Sequence, residues 1–207
     1  MATKPDTRTQ LIDATIAAIT QGGEGAVRVS AIASEAGVKE PSVYHFFKNR
    51  EALVEAAHIE RYRRSYAEFL KPFETVTHMS DNQEDFEQAI RKILTLIYLP
   101  ERAEVRSVRM SVMGAAQTNP SIALAIAEAN HEVSAYLAEV VKFAQNKGWF
   151  TKDLDAMAVA YWVLGQIKGR VMAEMNPTKV DLDAWTKVSI EAVVAILKHQ
   201  GPEGAQS

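Results

Sequence analysis

The sequence predicts an all-α protein of about nine helices, with a three-helix head at the N-terminus and a larger helical bundle behind it. Three observations carry this reading. Apolar residues recur at the three- and four-residue spacing of a buried helix face along most of the chain. No run of alternating β-branched residues stands out as a strand. Glycine, proline and asparagine then punctuate the apolar stripes into nine lengths.

The elements follow in order. Leu11, Ile12, Thr15, Ile16 and Ile19 make one stripe behind caps at Asp6 and Thr7. Gly22-Gly23 ends it, because glycine accepts the conformation that follows a helix terminus. A second, short helix begins with Ser30 as its N-cap, turns Ile32, Ala33 and Ala36 inward and stops at Gly37. A third starts at Pro41, a favoured first helical residue, with Val43, Phe46 and Phe47 on its buried face. Lys48 and Asn49 break it, and Asn49 caps a fourth helix that reaches about Phe69 and stops before Pro72. After a polar stretch from Thr75 to Asn82, five more helices read as residues 83–99, 101–116, 122–147, 154–175 and 182–200. Pro100, Asn119-Pro120, Gly148, Asn176-Pro177 and Gly201 separate them. The expected organisation is a head over residues 1–50, a body over 51–200 and a disordered tail over 201–207.

Composition narrows the function. Of the 207 residues 47% are hydrophobic and 24% charged, an ordinary globular mix. The formal net charge is −3, which speaks against a wholly basic nucleic-acid coat or a polybasic membrane binder. The charge is uneven: residues 1–64 carry nine Lys/Arg and eight Asp/Glu, and the acidic excess lies beyond them. With no cysteine there is no disulfide, thiolate nucleophile or zinc–thiolate site. No stretch approaches 18 consecutive apolar residues, and no secretory leader opens the chain, so a cytoplasmic protein without a membrane partner is expected.

The informative segment is residues 28–50, RVSAIASEAGVKEPSVYHFFKNR. A short helix, a tight turn at Ala36-Gly37-Val38 and a second short helix make a helix-turn-helix, which presents the start of its second helix to a DNA major groove. Ser42 and Tyr44 carry hydroxyls for phosphate oxygens. Arg28, Lys39, Lys48 and Arg50 surround the short helix with positive charge.

Here the chain resembles the tetracycline-repressor (TetR) family of bacterial transcription regulators. AIASEAGV is similar to that family's second helix and turn, and EPSVYHFFKNREAL to its recognition helix and the entry to its fourth helix. The resemblance covers roughly residues 7–60; beyond them it is one of architecture. It implies a DNA-binding head, a body with a small-molecule pocket, and last helices that pair with those of a second subunit. By position it gives Ser30 a phosphate contact, Arg28 a backbone or base contact, and Glu40, Pro41, Ser42, Tyr44 and His45 the surface that meets DNA. Arg50 stands where the family usually has Lys. Lys39 and Glu40 depart from the common pattern; Glu40 can accept from a cytosine amino group or lie aside from phosphate.

In the body, polar residues interrupt apolar stretches at Arg109, His131, Tyr161 and Gln166. With Tyr62, Tyr66, Phe69, Phe86, Met110, Met113 and Trp162 they are the material of a mostly apolar pocket with polar anchors, though each aromatic or Met is equally core material. An inward Arg109 calls for an anion, such as Glu128 or a ligand carboxylate. Gly165 and Gly169 permit close helix approach, and the wide stripe of the last helix, including Trp185, Val193 and Leu197, fits burial against a partner subunit. The expected function is therefore a ligand-responsive, homodimeric regulator, most readily a repressor. Its partners are a double-stranded, pseudo-palindromic DNA operator and a small-molecule effector, and no cofactor is implied.

Two rivals stand beside it. Glu55-x-x-His58 and Glu128-x-x-His131 match the paired E-x-x-H ligands of helical di-iron enzymes. A helical adaptor that no longer binds DNA is the other. No Walker, G-x-S-x-G or Rossmann motif is present, and no nucleophile–base pair supports an enzyme.

Overall fold

The computed structural model describes residues 6–67, 73 and 80–198. Among them are nine α-helices, two short 3-10 turns and no strand. The helices are α1 (Thr7–Gly22), α2 (Val29–Glu35), α3 (Glu40–Phe46), α4 (Arg50–Ala67) and α5 (Gln83–Ile97). Then come α6 (Ala103–Ala116), α7 (Pro120–Asn146), α8 (Ala156–Glu174) and α9 (Leu182–Leu197). The tail over residues 201–207 and Phe69 lie outside the described residues.

The chain forms two compact units, one of Met1–Arg64 with Val112–Ile126, the other of Ser65–Ser111 with Ala127–Ser207. The first runs past residue 50, where the break at Lys48-Asn49 suggested a boundary. The reason is apolar: Leu53, Val54 and Ala57 of α4 are buried in one core with Leu11, Ile12, Val27, Ile32, Val43 and Phe47. Short helices such as α2 and α3 have little stability alone and depend on that burial.

Caps set the starts of α1 and α4. The Asp6 carboxylate accepts from the Thr9 N–H at 2.7 Å, and this bond holds the Asp6 pKa below the usual carboxylate range. Asn49 Oδ1 accepts from the Ala52 N–H at 2.8 Å. Two local expectations are corrected. Ser30 is not the N-cap of α2: Arg28 holds the extended cap conformation and Ser30 sits within the first turn. Phe46 is not buried; it is 40% exposed, because α3 gives only Val43 and the following Phe47 to the core.

In the second unit, Asn82, Asp155 and Asp181 cap α5, α8 and α9 with their side chains. Phe86 anchors an aromatic cluster, its ring centroid 5.2 Å from Phe150 and 5.8 Å from Trp149. Arg91 of α5 forks onto both carboxylate oxygens of Glu191 on α9, at 2.7 and 2.9 Å. Deeper lies a cluster of two guanidiniums on one carboxylate. Arg106 of α6 is 2% exposed; it pairs with Glu174 and donates to the carbonyls of Ile97 (2.6 Å) and Leu99 (3.2 Å). Arg170 of α8 donates to Glu174 at 3.2 Å, to the Leu182 carbonyl and to Thr186 Oγ1 at 3.0 Å. Removing one partner from such a buried set leaves uncompensated charge. Glu174→Ala is therefore expected to lower unfolding free energy by about 3–5 kcal/mol, measured by urea denaturation, whereas Glu139→Ala on the exposed surface of α7 should change it by less than about 0.5 kcal/mol.

Candidate nucleic-acid interface

The turn between α2 and α3 is built from backbone. Gly37 holds φ +70°, open to glycine and costly for other residues, and the Val38 N–H donates back to the Ala33 carbonyl at 2.9 Å. That closure is a Schellman motif, which stops α2 and redirects the chain. Lys39 is extended and opens α3, with Glu40 and Pro41 in its first turn. Val43 and Phe47, 1% and 4% exposed, fix α3 to the core.

The rest of α3 faces solvent. Tyr44 is 49% exposed, Glu40, Pro41 and His45 are exposed, and Ser42 is half-buried. Lys39 and Lys48 flank the helix, exposed, and Arg28 and Ser30 are exposed at the start of α2. Phe46, missed in the sequence because its spacing suits a core position, joins this surface with its ring edge against His45 at 5.2 Å. Of the ten residues singled out for DNA, seven thus lie on α3 or just beyond its ends, with Phe46, and two more, Arg28 and Ser30, are exposed at the start of α2.

Arg50 is the exception. Its Nε donates to the Val27 carbonyl at 3.0 Å and its Nη2 to the Glu24 carbonyl. It braces the turn between α1 and α2. His58 braces the same turn: 2% exposed, it meets Glu24 Oε1 through Nε2 at 2.8 Å. Glu55 accepts from the Ser121 hydroxyl and from Asn119 Nδ2 at 3.4 Å, at the start of α7. The first E-x-x-H pair is therefore spent on packing, while Glu128 and His131 are solvent-exposed in the other unit. Among the described residues no three His, Cys, Asp or Glu gather where they could hold a metal.

The residues expected to line a ligand pocket are divided. Tyr62, 1% exposed, and Met113 belong to the first unit. In the second, Arg109 is 4% exposed, lies 3.9 Å over the Tyr66 ring and donates to Ser65 Oγ at 3.1 Å and to the Ser65 carbonyl. Phe86 belongs to the aromatic core. Trp162 and Gln166 are half-buried, and Trp162 lines a concavity of about 520 Å³ with Leu154, Ala158 and Ile196. His131 is corrected to the surface, since α7 buries Ala129 and Val133 on another face. Sequence reading missed Lys168, which is half-buried on α8 and donates to Asn130 Oδ1 at 3.3 Å. Burial pushes its pKa below the ordinary lysine value, and the Arg109 charge adds to the shift. The signal that singled out Arg109, a polar residue within an apolar helical stretch, was there for Lys168 too.

Two expected dimer contacts are also corrected. Val193 and Leu197, 3% and 8% exposed, pack into the body's own apolar core beside Phe86 and Leu94. Trp185 stands edge-on to Tyr98 at 5.3 Å, with the Arg170 guanidinium over it. Gly165 is exposed, and a Cβ at Gly165 or Gly169 would meet no atom within 4 Å. Tyr161 and Met172 on α8, Met175 at its C-cap and Val188 on α9 are 43%, 75%, 78% and 69% exposed.

The two cations at the start of α4 are separable by experiment. Lys48→Ala should weaken DNA binding and reduce the salt slope by about 1 without changing the melting temperature. Arg50→Ala should lower melting temperature and affinity together, which thermal melts beside fluorescence titrations at several salt concentrations will read.

Residues 11–57, spanning α1 to the first half of α4, match the family model of bacterial regulatory proteins, tetR family. The HTH-type transcriptional regulator UidR of Escherichia coli K12 is 23% identical over 188 residues, 91% of each chain. Among solved structures, FadR from Bacillus subtilis in complex with stearoyl-CoA is similar with a TM-score of 0.61 and 24% identity, over 91% of this chain and 98% of that one. GusR of Salmonella enterica gives 0.66 and 18%, over 92% and 95%. A regulator from Saccharomonospora viridis in complex with choline gives 0.67 and 16%, over 93% and 98%. These likenesses show a shared fold. The helix-turn-helix described above lies within the matched residues 11–57, and that segment is of the tetR family of bacterial regulatory proteins.

Proposed function

We propose that the protein is a ligand-responsive repressor that binds a pseudo-palindromic operator as a homodimer and is released by a small-molecule effector. The observation that carries the DNA-binding part is the exposed face of α3: Tyr44, His45 and Phe46 stand in solvent on a helix whose other side is buried, with Lys39 and Lys48 at its ends. On this reading Ser30, Ser42 and Tyr44 offer hydroxyls to phosphate, and Glu40 and His45 meet base edges. Arg28, which donates to the Gly25 carbonyl at 3.1 Å, keeps other N–H groups for the DNA backbone. The head, with the recognition helix, serves DNA; the body serves effector and dimer. Acting on DNA, the protein works in the cytoplasm.

Dimerisation is supported by the exposed apolar face of α8 and α9. Tyr161, Gly165 and Met172 recur at helical spacing on α8, and the glycines leave room for another backbone. Val188 continues this apolar character on α9. Gly165, Gly169 and Trp185 remain in the proposed interface, and Met172, Met175 and Val188 join it. Effector binding is supported by the FadR and S. viridis regulators, whose structures hold stearoyl-CoA and choline. Ligands so unlike each other give no single chemistry to carry over. Ligand and operator affinities must oppose each other by the same factor if the effector favours a form that holds DNA poorly.

Selection of binding sites from random duplexes should return inverted half-sites one helical turn, or a multiple, apart. A selection that enriches no inverted repeat overturns the reading. Glu40→Ala should relax preference at one base pair of each half-site by about 1–3 kcal/mol, seen in the same selection repeated with the variant. Met172→Glu with Val188→Glu should shift the protein from dimer to monomer in sedimentation and weaken operator binding.

A further inference from the structure

We propose that Lys168, Asn130 and Ser134 form an anion-binding site in the helical body, taking the carboxylate or phosphate head group of a small organic molecule. The proposal deepens the reading of the body as the effector-binding part and rests on it.

Three observations meet at this place. Ser134 is fully buried, and its Oγ has no hydrogen-bond partner. Buried hydroxyls are rarely left so, because the lost hydration is not replaced. Asn130 lies one turn before Ser134 on α7, so the two share a helix face. Lys168 of α8 reaches Asn130 Oδ1 at 3.3 Å, which brings an ammonium to that face. The charge that acts on this ammonium is a like one, the buried guanidinium of Arg109.

A half-buried ammonium with the Arg109 charge acting against it is costly, and Asn130 offers Lys168 a dipole but no charge. An anion beside Lys168 relieves the repulsion and accepts from Nζ and from the Ser134 hydroxyl together. A neutral alcohol or amide relieves no charge. Apolar ground lies further along the same two helices. One turn beyond Ser134 comes Leu137, and towards the start of α8 from Lys168 come Val163 and Ala160; these three and Phe86 line a cavity of about 40 Å³. The complementary molecule is amphipathic, with an anionic head and an apolar remainder.

The test uses the full-length protein and calorimetric titration with octanoate, octyl phosphate and octanol. At least one anion is expected to bind about tenfold or more tightly than octanol, and the stronger of the two identifies the head group. Lys168→Met should lose about tenfold or more for that anion, Lys168→Arg should retain it within about threefold, and Ser134→Ala should lose a smaller factor. Helical circular dichroism verifies that each variant is folded. Equal binding of octanol and both anions, binding of neither anion, or wild-type affinity in Lys168→Met overturns the proposal. A parallel operator titration separates this site from the reading beneath it. Anion binding that depends on Lys168 but leaves operator affinity unchanged supports the site and defeats its effector role. Operator release by neutral compounds, with no anion bound at Lys168, overturns the site and leaves the ligand-responsive regulator standing.

Discussion

The helical body depends on one carboxylate held between two arginines. Glu174 stands near the end of α8 and accepts from Arg106 of α6 and from Arg170 one turn before it. Arg106 also ties down the carbonyls of Ile97 and Leu99, and Arg170 those of Leu182 and the Thr186 hydroxyl. The end of α5, the start of α9 and two internal helices are thus fixed to one point. A buried set with two positive charges and one negative survives because the surplus is spread over backbone carbonyls and the faces of Tyr98 and Trp185. Apolar contacts alone would permit α8 and α9 to slide; a bonded cluster sets one register, and with it which residues face outward. That register turns Val193 and Leu197 inward and leaves Met172 and Val188 in solvent.

The head meets a similar need by different means. Its helices α2 and α3 have seven residues each, too few to be stable alone. Their shared core holds them from one side, and α4 holds the preceding turn from the other through Arg50 and His58. Both side chains reach the 24–27 segment, so α1, α2 and α4 are tied at one place. This leaves the outer face of α3 open to solvent, since Val43 and Phe47 carry its burial.

The legible features were those determined by local chemistry. Gly37 could be assigned to a turn because only a residue without Cβ takes its φ cheaply, and Asn49 to a cap because a short amide before a helical run has little else to do. The residues that α3 leaves exposed could largely be named because a short helix leaves few positions open. Longer-range outcomes were not legible. Arg50 reads as a surface cation until α4 is packed against the 24–27 turn, and only then do its donors find carbonyls 23 and 26 residues away. Val193 and Leu197 read as interface because a wide apolar stripe does not say which side meets its own chain. Phe46 has core character by type, yet α3 turns it outward once Val43 and Phe47 fill the space available. The Arg106–Glu174–Arg170 cluster joins residues 68 and four positions apart, and only the nearer pair has a helical signature.

The size of the apolar cavity bears on how such a body can switch. Small-molecule pockets usually enclose several hundred cubic ångströms, whereas the cavity beside Phe86 and Leu137 measures about 40 Å³. An amphipathic molecule anchored at Lys168 can place its apolar part there only if α7 and α8 separate from the aromatic cluster. Such a ligand binds the opened arrangement better than the closed one by construction, and that differential affinity is the one quantity able to shift a conformational equilibrium. Opening costs the apolar contacts of Phe86, Leu137 and Val163, so part of the ligand's binding energy is consumed in separating helices. Affinity is then weaker than the contacts alone imply, and loosening this cavity by mutation is expected to raise it.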